Sequence, residues 1–187
     1  KILEPHPEIA RLTAGRLASA RLVVLLPKGG TPYLYRALIK LPVGSNIADN
    51  FWRSGNLLAA LDTKSGRITR IVSGVGHRTK EVEAHPDSAV ALRDALVPDW
   101  PEAVDMCLAA SMLFPRIRMQ AWDVALCPGG PVLMEANVGG DFNLPQIAHA
   151  EGMFAPEFQA FLADCLASRG KPISKKAAKR LGLAPRD

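Results

Sequence analysis

The chain has 187 residues, 48% of them apolar and 22% charged, enough to fill the core of one ordinary domain or two small ones packed together. That composition excludes global disorder. It also holds no run of about 18 apolar residues to span a membrane, since the richest stretch, Ala20 to Pro27, is broken by Arg21. The formal charge of +5 points first to a polyanionic partner. It is unevenly placed, however: residues 169–187 hold seven basic residues and one acid, leaving 16 basic and 17 acidic residues in 1–168. The expected division is therefore a near-neutral folded portion over 1–168 and a basic tail over 169–187. Nucleic-acid binding through that tail rests on charge alone, because no aromatic residue interleaves its basic positions.

Cys107, Cys127 and Cys165 form no CxxC pair and no disulfide framework, which favours a reducing, cytoplasmic setting. No apolar signal segment follows Lys1, and a chain that starts without Met reads as a fragment.

In chain order, a short helical pattern surrounds Ile9 and Leu12. Arg21 to Leu26 and Tyr33 to Leu41 then read as two strands of a hairpin about Lys28-Gly29-Gly30. Pro42 to Gly55 is loop-like. Leu57 to Asp62 and Arg67 to Val72 flank Thr63-Lys64-Ser65-Gly66, a hairpin turn. Asp99 is placed as an N-cap with Glu102 completing a capping box and Pro101 in the first turn. The stripe Val104, Cys107, Leu108, Ser111 and Met112 is then expected to face the core. Phe158, Phe161, Leu162, Cys165 and Leu166 repeat that spacing near the end. Strands first and helices later, with hairpin-length connections, predict an α+β fold: an antiparallel sheet covered by helices.

Ala121 to Asn137 carries the chemistry. It reads as two strands joined by Pro128, Gly129 and Gly130, with Cys127 facing Pro131. That register sets Asp123 opposite Glu135 and Ala121 opposite Asn137, so two carboxylates and an amide oxygen share one face. The other face, Trp122, Val124 and Leu126 with Val132, Met134 and Ala136, is wholly apolar and expected in the core. Two carboxylates about 5 Å apart repel by roughly 3 kcal/mol at an effective dielectric near 20, and a bound cation reverses that sign. With only oxygen donors on offer, Mg²⁺ or Mn²⁺ is favoured over zinc. On spacing alone, an acidic face relaxed by water or by Arg116 and Arg118 is equally compatible. The glycine-rich segment Val138-Gly139-Gly140-Asp141-Phe142-Asn143, leaving the strand beside the acids, favours a ligand site.

The polar loop Gly44 to Asn56, with Phe51 and Trp52 inside it, reads either as a pinned surface loop or as a ligand contact. Arg21 and Lys40 are charges inside apolar strands, directed either to solvent or to an anion. His6, His77, His85 and His149 show no metal-ligand spacing and are expected to be structural.

Glu4-Pro-His-Pro-Glu-Ile, Ser19-Ala-Arg-Leu-Val-Val, Asp49-Asn50, Ser54-Gly55, Leu61-Asp62-Thr-Lys-Ser-Gly66, His85-Pro86 and Val97-Pro-Asp-Trp100 form one series of motifs. With Trp122-Asp123 and Glu135-Ala-Asn137 they resemble the ATP-grasp superfamily, and within it the sugar-transfer-associated ATP-grasp proteins, over about residues 1–165. The resemblance implies the carboxy-terminal half of an ATP-grasp fold, whose amino-terminal half would precede Lys1, and hence weak ATP binding by the chain alone. It implies ATP and Mg²⁺ as cofactors, a small-molecule carboxylate and a nucleophile as substrates, and ligation through an acyl phosphate in polysaccharide or cell-envelope precursor synthesis. A non-catalytic ATP-grasp-like binding module is the alternative. By the same resemblance Asp123, Glu135 and Asn137 hold the metal, Arg21 and Lys40 face the phosphates, and Arg21 and Asn50 serve catalysis. Asp49, Asn50 and Ser54 face substrate. Ala121 replaces the family's usual glycine before Trp-Asp, Lys40 lies near a position that is often arginine, and Ser54-Gly55-Asn56 replaces a commoner Gly-Gly.

Overall fold

The computed structural model describes residues 2–46, 51, 55–138 and 140–168. Seven strands form one sheet: β1 (Ser19–Leu25), β2 (Tyr33–Leu41), β3 (Leu57–Leu61), β4 (Ile68–Ser73), β5 (Lys80–Glu81), β6 (Met119–Cys127) and β7 (Gly130–Val138). Their order is β5-β4-β3-β2-β1-β6-β7, and every neighbouring pair is antiparallel. All seven β1 residues and all five β3 residues are buried, which explains why these strands read as continuous apolar runs rather than alternating ones. The β3–β4 turn is tied by Asp62, whose Oδ1 accepts from Ser65 N at 2.8 Å and Ser65 Oγ at 2.6 Å. Gly66 has φ +70°, and a Cβ there would come within 2.5 Å of Trp100, so only glycine fits the turn against that ring.

Among the described residues, four α-helices cover both faces. On one face α1 (Pro7–Thr13) and α2 (Trp100–Ser111) bury Ile9, Leu12, Trp100, Ala103 and Cys107 on Leu22, Val24, Ile39, Leu61, Trp122 and Val124. On the other face α4 (Pro156–Ala167) sets Phe158 and Phe161 on Val23, Leu25 and Tyr35, while α3 (Asn143–His149) sets Leu144 and Ala148 on Leu38, Leu58 and Val72. Each such apolar side chain contributes roughly 1.5–3 kcal/mol when fully buried. The antiparallel α+β expectation and the first four strands therefore stand.

Several local expectations do not. Asp99 sits in the left-handed region (φ 51°, ψ 32°) and makes no side-chain cap, so the capping box does not form. Its backbone turns the chain into the helix, and Pro101 occupies the first turn as expected. The buried stripe of α2 runs through Trp100, Ala103, Cys107 and Ser111, leaving Met112 51% exposed. Helix α3 follows the glycine-rich segment, which on composition reads as loop. On β7, Val132, Met134 and Ala136 are exposed rather than core, because β7 is the last strand of the sheet. Leu133, not Met134, packs on the α2 side.

The hairpin explains that inversion. Cys127 pairs with Gly130, not Pro131, around a two-residue Pro128-Gly129 turn, so the register near the turn is one residue off the expected one. A bulge between Asp123 and Val124 then accommodates Met134 as an extra β7 residue. Beyond it Asp123 faces Glu135 and Ala121 faces Asn137, as predicted. No helix among the described residues is long and apolar enough to cross a membrane. The basic tail, 169–187, lies outside the described residues.

Candidate functional site

Arg21 and Asp123 are direct partners across the β1–β6 ladder. Their side chains meet in a two-pronged ion pair, Arg21 Nε donating to Oδ1 at 2.7 Å and Nη2 to Oδ2 at 2.8 Å. Lys40 on β2 pairs with Ser19, two residues before Arg21, and so shares its face. It reaches past β1 to place Nζ 3.0 Å from Asp123 Oδ2. Arg21 is 9%, Lys40 6% and Asp123 4% exposed. Such a buried ionic cluster is costly to assemble, because desolvating each ion costs several kcal/mol, and the fork geometry offsets that cost. Burial pushes the Asp123 carboxyl up, but the Arg21 hydrogen bonds and the charges of Lys40 and Arg21 outweigh it and hold the group below the ordinary carboxylate range. The Asp123 hydrogen bond in turn raises Arg21, with Asp141 and Glu135 adding to the field of negative charge around it.

The two strand charges thus meet a carboxylate of the chain itself, not solvent. They, rather than Arg116 or Arg118, relax the acid pair: Arg116 is exposed, and Arg118 donates to Leu26 O and Asp164. Glu135, opposite Asp123, is exposed and makes no hydrogen bond or ion pair among the described residues. Asn137 Nδ2 is buried without a partner. Asp141, absent from the sequence-derived site, adds a third acidic charge that reaches Arg21 while its Oδ1 accepts from Asn143 N at 2.9 Å. The signal for it was available, an acid directly after Gly139-Gly140 at the end of the acid-bearing strand.

No cluster of three or more His, Cys, Asp or Glu side chains suited to a metal occurs among the described residues. The hard-oxygen set that is present fits Mg²⁺ or Mn²⁺ in kind: the exposed Glu135 carboxylate, the Asn137 amide oxygen, and Asp123, whose Oδ1 retains a second lone pair. Asp49, Asn50 and Ser54 lie outside the described residues. The chain leading toward them is anchored just beyond Lys40. His85, fully buried, engages Pro42 O through Nε2 at 2.9 Å and accepts from Asp87 N at Nδ1, which fixes its neutral Nε2–H form. Asn56 Oδ1 accepts from Val43 N at 2.9 Å, and Asp87 Oδ2 from Gly44 N at 2.7 Å. His85 and His149 are structural, as expected, and His6 caps α1 by accepting from Glu8 N.

The profile of the sugar-transfer-associated ATP-grasp family matches residues 1–160, most of the chain. The protein belongs to that family. Its match takes in every strand, the ionic cluster and the Glu135-Ala136-Asn137 edge. No curated protein and no solved structure matches.

Proposed function

We propose that this ATP-grasp chain contributes the cation- and phosphate-facing surface of an ATP-dependent carboxylate ligase. Its reaction class would be phosphoryl transfer to a small-molecule carboxylate, followed by attack of a nucleophile on the acyl phosphate, in polysaccharide or cell-envelope precursor synthesis. The observation that carries the reading is the arrangement on one sheet face: buried Arg21 and Lys40 converge beside a free carboxylate, Glu135, and an under-bonded amide, Asn137. ATP with Mg²⁺ supplies the transferable phosphoryl group and its charge neutralisation. Arg21, with a planar fork suited to phosphate as well as carboxylate, would hold and orient phosphate oxygens. Lys40 would add a point charge beside them, and Glu135, Asn137 and Asp123 would present oxygens to the cation. Burial strengthens the interactions of Arg21, Lys40 and Asp123 relative to water. Asp49, Asn50 and Ser54 are proposed to meet substrate, with Asn50 serving catalysis.

The test is equilibrium binding of ATP with and without Mg²⁺ to the wild type and to Glu135→Gln. The expected result is Mg²⁺-dependent binding that the substitution weakens at least tenfold. Equal binding by both proteins would remove Glu135 from the cation site and the reading with it.

A further inference from the structure

The arrangement of Asp123 bears on what the site accepts. Both of its oxygens already receive short bonds from cations, at 2.7 and 2.8 Å from Arg21 and 3.0 Å from Lys40. All three residues are buried, their side chains 11%, 8% and 6% exposed for Arg21, Lys40 and Asp123, so water does little to screen them. A free divalent cation arriving at Asp123 would have to sit beside two positive charges or push them off into a site with no bulk water to receive them. A polyphosphate changes that balance. Its oxygens match the Arg21 fork and the Lys40 ammonium as well as the carboxylate does, so it can draw both away from Asp123. It also brings its own oxygens to the cation.

We propose that Arg21 and Lys40 make this surface selective for a divalent cation paired with a polyphosphate over the cation alone, by occupying Asp123 until an anion takes them over. The inference rests on the function proposed above and adds to it which residues couple the two ligands. Coupling of this kind is reciprocal: whatever factor the anion contributes to cation binding, the cation contributes to anion binding. Glu135 and Asn137, which no internal cation occupies, offer the cation its first contacts on the strand edge. Asp123 joins only when its partners leave.

Mn²⁺ binding, followed by electron paramagnetic resonance at constant ionic strength, tests this on the wild-type chain, Lys40→Met and the Lys40→Met/Glu135→Gln pair. Methionine keeps the length and apolar stem of Lys40 and removes its charge, leaving Asp123 Oδ2 with the Arg21 bond alone and one open lone pair. The expected result is at least tenfold tighter Mn²⁺ binding by Lys40→Met than by wild type, with the gain lost in the double variant. Equal affinity of wild type and Lys40→Met overturns the proposal. A second measurement needs no substitution: the Arg21 Nε–H resonance should shift on adding Mg²⁺ with inorganic tripolyphosphate and stay put with Mg²⁺ alone. A shift with Mg²⁺ alone, or none with the pair, overturns it. If Mg²⁺·ATP binding depends on Glu135 while Mn²⁺ binds wild type and Lys40→Met alike, the inference fails and the functional reading stands. If Glu135→Gln leaves Mg²⁺·ATP binding unchanged, the functional reading itself fails.

Discussion

Asp123 lies well inside the seven-stranded sheet with two cations on its oxygens, whereas Glu135, its partner across the hairpin, stands exposed on the last strand with no side-chain hydrogen bond among the described residues. The two acids face each other on one rung of the ladder and differ in what they touch. Asp123 is part of the structure, since two buried cations share its carboxylate. Among the described residues, Glu135 is held by backbone pairing alone. The difference comes from strand order: β6 has neighbours on both sides and β7 on one. A functional surface built this way pairs a rigid, pre-charged interior with an adaptable rim, and each half can be tested without the other.

The largest expected effect is on the interior half. Asp123→Ala should destabilise the fold by about 3–5 kcal/mol in urea unfolding, because it takes away the carboxylate that buried Arg21 and Lys40 share. Glu135→Gln should stay within about 0.5 kcal/mol of wild type in the same measurement. Similar losses for both would erase the contrast. Next in size, Arg21→Lys should lose about 1.5–3 kcal/mol, since a point ammonium cannot reproduce two parallel bonds to Oδ1 and Oδ2.

Smaller effects follow the titrations. Asp123 is held below the ordinary carboxylate range, so its stabilisation is complete above an unfolded value of about 3.9 and is lost as pH falls through the lower folded value. Unfolding midpoints between pH 2 and 6 should show that loss in wild type and Glu135→Gln, and less of it in Asp123→Asn. Burial pushes the His85 and His149 rings down, so the unfolded chain binds protons the folded one refuses. Stability should therefore also decline below about pH 6.5, toward the lower folded values of these rings. His85→Gln should flatten part of that slope and leave the acid limb in place.

Much of this was legible before any coordinates. The apolar runs of β1 and β3, the hairpins and the α4 stripe follow from periodicity, because buried strands and amphipathic helices leave direct traces in residue order. The facing of Asp123 and Glu135 was also legible, though its derivation placed the turn one residue off and a bulge restored the pairing. Turn length and bulges are set by backbone geometry that Pro128-Gly129-Gly130 does not specify uniquely. What could not be read was the partner of each charge. Arg21 and Lys40 are close in the fold to an acid more than 80 positions along the chain, and no local pattern encodes a pairing at that separation. Sequence spacing therefore suggested two bare acids awaiting a metal, where the structure has one acid satisfied and one exposed. Asp99 illustrates the converse, a strong local capping signal set aside once its backbone adopts a left-handed turn.

The bulge at Met134 makes the two ends of the hairpin mechanically independent. Because Cys127 pairs with Gly130, deleting Met134 would leave a regular ladder in which the present Glu135 still falls opposite Asp123 and on the same face. The extra residue is thus not needed for pairing; what it supplies is bend and local twist just where Glu135 begins. A chain lacking it should fold with its acids still matched but with the rim carboxylate re-aimed. Hairpin length can drift at this point by one residue without scrambling the site, and the angle of approach to a ligand becomes a separately adjustable quantity.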